Sequence, residues 1–152
     1  MGDFSPASVE FTGELTVALG VEEAFELFSP LGEKRWVPGW DPELLHPAGI
    51  SWERGLIFRT REERGEAVWI VTALDRGAHE VEYHRVESGR YVARVRIHCA
   101  PAAERGTRVT VSYAFVGLSP DGNADIAQMT SSDYVEKMKR WGRWIGEHRK
   151  YT

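Results

Sequence analysis

The sequence predicts an α+β fold in which one curved antiparallel sheet of six to seven strands wraps around a single long C-terminal helix. Two observations predict it. From Ser131 onward, SSDYVEKMKRWGRWIGEHRKYT places Tyr134, Met138, Trp141 and Ile145 in one narrow sector at about 100° per residue. Upstream, alternating apolar and polar residues recur in short segments divided by turn residues, as strands require. A lone long helix after a run of strands needs a sheet to lie on.

The elements follow in order. Val9, Phe11, Gly13, Leu15 and Val17 alternate with Glu10, Thr12, Glu14 and Thr16, which reads as a long amphipathic first strand. Gly13 in its middle suggests a bend or bulge. After Gly20, Val21, Ala24, Phe25 and Phe28 stand at helical spacing, and Ser29-Pro30 ends that short helix. Leu31 to Trp36 reads as a second short helix, broken by Pro38-Gly39. The segment WVPGWDPELLHP reads as ordered loop. Strands then follow at Leu56–Arg61, Ala67–Leu74, His79–Val86, Tyr91–Cys99 and Thr107–Val116. The gaps carry Arg64-Gly65, Arg76-Gly77, Ser88-Gly89 and Arg105-Gly106, so consecutive strands make antiparallel hairpins. In the final helix Ser131, Ser132 and Asp133 signal the start, with Asp133 and Glu136 at capping-box spacing. Basic residues dominate its later turns, which suits the helix dipole. Gly142 and Gly146 permit close approach to a strand or mark a frayed end.

Side-chain matching fixes one register, since a slip of one residue swaps the faces. A three-residue loop at Ser88-Gly89 sets Tyr83 opposite Val95 and Val81 opposite Ile97. The other face then pairs Glu82 with Arg96, Glu80 with His98 and His84 with Arg94. Extended sideways, Phe58, Trp69, Tyr83, Val95 and Tyr113 form one row facing the terminal helix.

Composition narrows the function classes. The length of 152 residues fits one domain spanning 1–152, large enough to bury roughly 68–70% of its unfolded surface. A net charge of −4 gives no support to nucleic-acid binding. Cys99 is the only cysteine, which points to a reducing compartment. No signal peptide and no apolar run of spanning length are visible, so a cytoplasmic chain without membrane insertion is expected. Six tryptophans in so short a chain ask for a reason.

The element order resembles that of the START-like superfamily, also called SRPBCC, whose branches include the birch-pollen allergen, polyketide cyclase/aromatase and lipid-transfer proteins. The stretches SPLGEKRWVPGWDP (Ser29–Pro42) and GTRVTVSYAFVGLSPDGN (Gly106–Asn123) are similar to segments of its uncharacterised bacterial members. The resemblance implies a helix-grip fold enclosing an apolar cavity, and no single activity. No Rieske cysteine–histidine pattern is present, which excludes the iron–sulfur oxygenase branch.

Candidate ligand contacts are the inward Phe58, Trp69, Tyr83, Val95, Tyr113, Tyr134 and Met138. They either line a cavity or pack as solid core, which periodicity alone does not distinguish. Arg85 shares their face, and an inward cation needs a carboxylate, carbonyls or an anionic ligand group. It reads as a ligand anchor or as a structural ion pair. Trp36 and Trp40 flank Val37-Pro38-Gly39 and form a lid at the cavity mouth, as the family layout suggests, or cover one end of the core. Glu80, Glu82 and His84 sit on the solvated face opposite arginines, so no metal site is expected there. His46 and His79 are too scattered for zinc. Cys99 lies inward with no base in sight, an inert thiol. No GxSxG, HExxH, P-loop or dinucleotide fingerprint occurs, and no cofactor is implied. The expected function is binding of a small hydrophobic or amphipathic molecule by a monomer or homodimer. A polyketide cyclase/dehydrase using the same cavity and a co-chaperone-like interaction module are the alternatives.

Overall fold

The computed structural model describes residues 3–150, with side chains through His148. β1 (Ser8–Val17) is followed by α1 (Val21–Glu26), a 3-10 turn at Gly32–Arg35, and β2 (Glu43–His46). Then come β3 (Ile57–Glu62), β4 (Gly65–Asp75), β5 (Glu80–Glu87), β6 (Tyr91–Pro101) and β7 (Thr107–Gly117). α2 (Pro120–Ala127) and α3 (Ser131–Lys150) complete the described chain. The seven strands form one antiparallel sheet in the order β1-β7-β6-β5-β4-β3-β2. β2 to β7 is an unbroken meander, and the chain returns only once, when β7 pairs with β1. Among the described residues no helix is long and apolar enough to cross a membrane.

Alternation decides the faces. Leu15, Val17, Ala67, Trp69, Val71, Val81, Tyr83, Ala93, Val95, Ile97, Val109, Val111 and Tyr113 are buried on the inner side. The β5–β6 register is the one the charges demand: Glu82 opposite Arg96, Glu80 opposite His98, His84 opposite Arg94. The loop between them is three residues, with Gly89 at φ 74°, a left-handed position that glycine takes without a Cβ penalty.

β2 falls inside the segment expected to be loop, α2 falls where no element is expected, and four further features differ from the sequence-based expectations. The lateral row breaks between β4 and β5, where Trp69 faces Arg85 and Tyr83 faces Val71. The tight Arg76–His79 turn sets Asp75 opposite Glu80, and an irregularity between Val71 and Ala73 then shifts the pairing by one residue. β1 carries no bulge at Gly13; it pairs with β7 in unbroken register. Its glycine instead admits α3: a Cβ there would lie 3.0 Å from Met138 Cγ and Tyr134 Cε2. α3 is capped by Thr130, whose Oγ1 accepts from the Asp133 amide at 3.0 Å, rather than by an Asp133–Glu136 box. Gly142 and Gly146 face open space, so neither permits a close approach.

The tryptophans close one end of the grip. Trp36 donates Nε1–H to Leu27 O at 2.8 Å and packs edge-on against Phe28 and Trp141. Trp52 donates to Tyr83 Oη at 2.8 Å, and Tyr83 in turn donates to Phe28 O at 2.8 Å. α1, the 3-10 turn and the back half of α3 are thus tied to the sheet through indoles whose polar edges are satisfied. That end is solid.

Candidate ligand-binding site

The other end is not filled. Between the inner face of the sheet and the first turns of α3 lies a pocket of about 540 Å³ that opens to solvent. β1 contributes Phe11, β4 Trp69, β6 Tyr91, and β7 Tyr113 and Phe115; α3 contributes Tyr134, Lys137 and Arg140. The rings interlock: Phe11 stacks on Tyr134 at 5.4 Å, Tyr113 on Phe115 at 5.7 Å, and Tyr91 meets Phe115 edge-on at 5.5 Å. Tyr134 hangs from β7, donating its hydroxyl proton to Val111 O at 2.6 Å. A larger hollow of about 1400 Å³ runs outside, along Val37–Glu43 and Arg59–Glu66. Charged residues and loop backbone dominate it, so the aromatic pocket is the better ligand site. Trp40 stands between the two, held by an Nε1–H bond to Pro30 O at 2.8 Å and edge-on against Trp69.

One wall is ionic. Arg85 bonds Glu62 at 2.9 Å, Glu87 at 3.3 Å and Tyr91 Oη at 3.3 Å, with its guanidinium 5.6 Å from the Trp69 ring centroid. Arg64 continues the chain from Glu87 at 3.1 Å to Asp125, which Arg90 also grips at 2.7 and 2.9 Å. Burial works against the Arg85 charge, but Glu62 and Tyr91 outweigh it and the group stays firmly cationic. Burial alone would raise Glu87; the Tyr91 hydroxyl and the two arginines reverse that and hold it below the usual carboxylate range. Arg85 is therefore charge-compensated within the protein.

Lys137 is not. Its Nζ sits 3.8 Å from the Tyr113 ring centroid and 5.6 Å from that of Trp141. No carboxylate forms an ion pair with it among the described residues. Burial, reinforced by Arg85 and Arg140, brings its pKa down to about 8. Glu33, on the 3-10 turn, is pushed well above its ordinary value by burial despite the pull of Lys137.

The structure distributes the sequence-predicted residues between two environments. Trp40, Trp69, Arg85, Tyr113 and Tyr134 line the pocket. Trp36, Phe58, Tyr83, Val95 and Met138 are buried at the packed end or behind the wall. Sequence reasoning missed Phe11, Tyr91, Phe115, Glu62, Lys137 and Arg140. Parity carried the signal for Phe11 and Phe115, each on the inner face of its strand. Lys137 follows Tyr134 by three residues and precedes Trp141 by four, a helical spacing that sets a cation beside the apolar stripe. Cys99 is buried, which pushes its thiol up to about 12. Glu82 binds Arg96 and Thr72 on the outer face. No group of three metal-ligating side chains occurs among the described residues.

Solved structures with this architecture decide what the fold is. The norcoclaurine synthase of Thalictrum flavum, solved in complex with dopamine and hydroxybenzaldehyde, matches over 95% of this chain and 90% of its own, with a TM-score of 0.67 at 15% identity. The chain has the helix-grip fold. Ginseng major latex-like protein 151 of Panax ginseng shares the helix grip over 93% of this chain and 97% of its own, with a TM-score of 0.69 at 16% identity. A protein from Mesorhizobium loti does so over 95% and 98%, with a TM-score of 0.68 at 12% identity. No protein-family model and no curated protein sequence matches the chain. At such identities the likeness concerns the fold alone and carries no activity with it.

Proposed function

We propose that this helix-grip protein binds a small, partly aromatic or aliphatic amphipathic molecule in the pocket between the sheet and α3. The observation that carries this reading is an aromatic hollow of about 540 Å³ between the inner face of the sheet and the first turns of α3. Its volume lies within the range of about 300–1,000 Å³ usual for small-molecule sites. Phe11, Trp69, Tyr113, Phe115 and Tyr134 supply burial, while Trp40 covers the mouth. The solved likeness to norcoclaurine synthase, which holds small aromatics, supports a ligand of that size. The lone, buried cysteine fits a reducing, cytoplasmic setting.

The test is native mass spectrometry of protein purified without detergent, followed by titration with the neutral fluorophore 1-aminoanthracene. A co-purified small molecule, or saturable fluorescence displaced by it, is expected. An empty protein that neither binds the fluorophore nor shifts its melting point with a hydrophobic panel overturns the reading.

One observation favours a cyclase- or dehydrase-type reaction as a second reading. Tyr91 lines the pocket with its hydroxyl 3.3 Å from Arg85 and hydrogen-bonded to Glu87. A phenol that accepts from a guanidinium and donates to a carboxylate can act on a carbonyl oxygen once its single proton turns from Glu87 to the substrate. Loss of turnover but not of binding in Tyr91→Phe would support catalysis.

A further inference from the structure

Three cations converge on the pocket, and only one of them is neutralised by the protein. Arg85 from β5 is held by Glu62 and Glu87. Lys137 and Arg140 stand three residues apart on α3, both on the pocket wall, with aromatic rings rather than carboxylates as their nearest partners. Tyr113 from β7 lies directly beneath the Lys137 ammonium. Glu33 approaches from the 3-10 turn and attracts the Lys137 charge, but burial pushes its carboxyl well above the usual carboxylate range and it forms no ion pair with Lys137. Asp133, one turn earlier on α3, is exposed at the rim. A desolvated ammonium beside two guanidiniums is an unfavourable arrangement in the empty protein. An anion delivered by a ligand relieves it.

Resting on the pocket reading above, we infer that the ligand is an organic acid, whose carboxylate docks against Lys137 and Arg140 while its apolar body lies among the pocket rings. The Tyr113 ring then supports the ammonium from below through its π face, and the carboxylate receives charge-assisted hydrogen bonds from above. Arg85, with its own carboxylates, shapes the field but is not the docking point.

The pH dependence follows from the groups named. Lys137 in the empty pocket loses its proton at a pKa of about 8. Binding a carboxylate favours the protonated amine, so acid binding takes up protons above neutrality and weakens as pH rises beyond about 8. Below about pH 4.3 the ligand itself becomes neutral. The preference for an acid is therefore widest between these limits.

The test compares 4-phenylbutyrate with 4-phenylbutanol, matched in shape and differing in charge, by isothermal titration at pH 7.0 and 9.5. In the wild type at pH 7.0 the acid is expected to bind at least tenfold tighter, and its advantage shrinks at pH 9.5. In Lys137→Met the advantage disappears while the alcohol binds as before. In Lys137→Arg it persists at both pH values, which separates loss of charge from a failure to fold. Titration at pH 8.5 in buffers of different ionisation enthalpy should show proton uptake with the acid and none with the alcohol. Equal binding of acid and alcohol by the wild type, or an undiminished preference in Lys137→Met, overturns the assignment of an acid. Binding of neither probe overturns the pocket reading, and this one with it.

Discussion

Tyr83 shows how far one side chain's placement can depart from its apparent role. Its inward orientation was legible from alternation, yet its hydroxyl is spent inside the protein, accepting from Trp52 Nε1–H and donating to Phe28 O. Nothing in the sequence links residues 28, 52 and 83; only the packing of α1 over the sheet brings them together. Tyr83→Phe strands a buried indole N–H and a buried carbonyl, at a cost of about 1–3 kcal/mol for each orphaned group. Urea unfolding should show that loss while 1-aminoanthracene affinity stays within about twofold, because Tyr83 is not on the pocket wall. Asp125 makes a second case. Arg90, with Arg64 beside it, holds its pKa down to about 2, against about 3.9 in an unfolded chain. A carboxyl depressed on folding stabilises above the unfolded value, and that stabilisation fades as pH falls toward 2. Asp125→Asn should therefore be less stable than wild type at pH 6, with the gap closing between about pH 4 and 2. An unchanged gap in acid would mean that the ionic chain from β3 to α2 contributes nothing to stability.

At the level of elements, strongly periodic segments were legible and weakly patterned ones were not. β1, β3 to β7, α1 and α3 follow from alternation or a helical stripe, with boundaries displaced by only a residue or two. β2 escaped because Glu43–His46 is four residues between Pro42 and Pro47, too short to display alternation. α2 escaped because PDGNADIA has turn composition; what makes it a helix is Pro120 in its first turn and Ser119 accepting from the Gly122 amide at 3.0 Å. The break in the lateral row arose from the tight Arg76–His79 turn, which pairs Asp75 with Glu80; the irregularity between Val71 and Ala73 shifts the pairing back by one residue only, and neither leaves a mark in the pattern. Gly13 belongs to this scale too, since it sets the distance between β1 and α3. Gly13→Val places branched carbons against Tyr134 and Met138, and such overpacking costs about 1–3 kcal/mol. The variant should melt lower and bind 1-aminoanthracene more weakly, because the displaced Tyr134 no longer stacks on Phe11. Retained affinity with a lowered melting point would show that the pocket does not depend on that helix seat.

Across the whole molecule, the grip is asymmetric: indoles and α1 cover one end, and the other holds a hollow whose wall includes a buried cation that forms no ion pair among the described residues. Parity showed that large rings face inward, but it could not separate sealed from hollow, since both ends display the same alternation. What separates them is where the connecting segments fall, and above all that Trp36 meets Trp141, and Trp52 meets Phe25 and Tyr83, at one end only. A cation in an apolar cavity implies that the empty protein is less stable than it could be, as sites shaped for a partner commonly are. The folded pKa of Lys137, about 8, lies below the roughly 10.4 of an unfolded lysine. Between those values the unfolded chain binds more protons, so this group makes folding more favourable as pH rises through that window and penalises it fully below. Lys137→Met should accordingly be more stable than the ligand-free wild type at pH 7, with the difference shrinking from about pH 8 to 10. Urea unfolding of both proteins at several pH values measures it. A variant that is less stable at neutral pH would mean that the ring contacts of Lys137 outweigh its desolvation, and that the pocket carries no unrelieved charge for a ligand to satisfy.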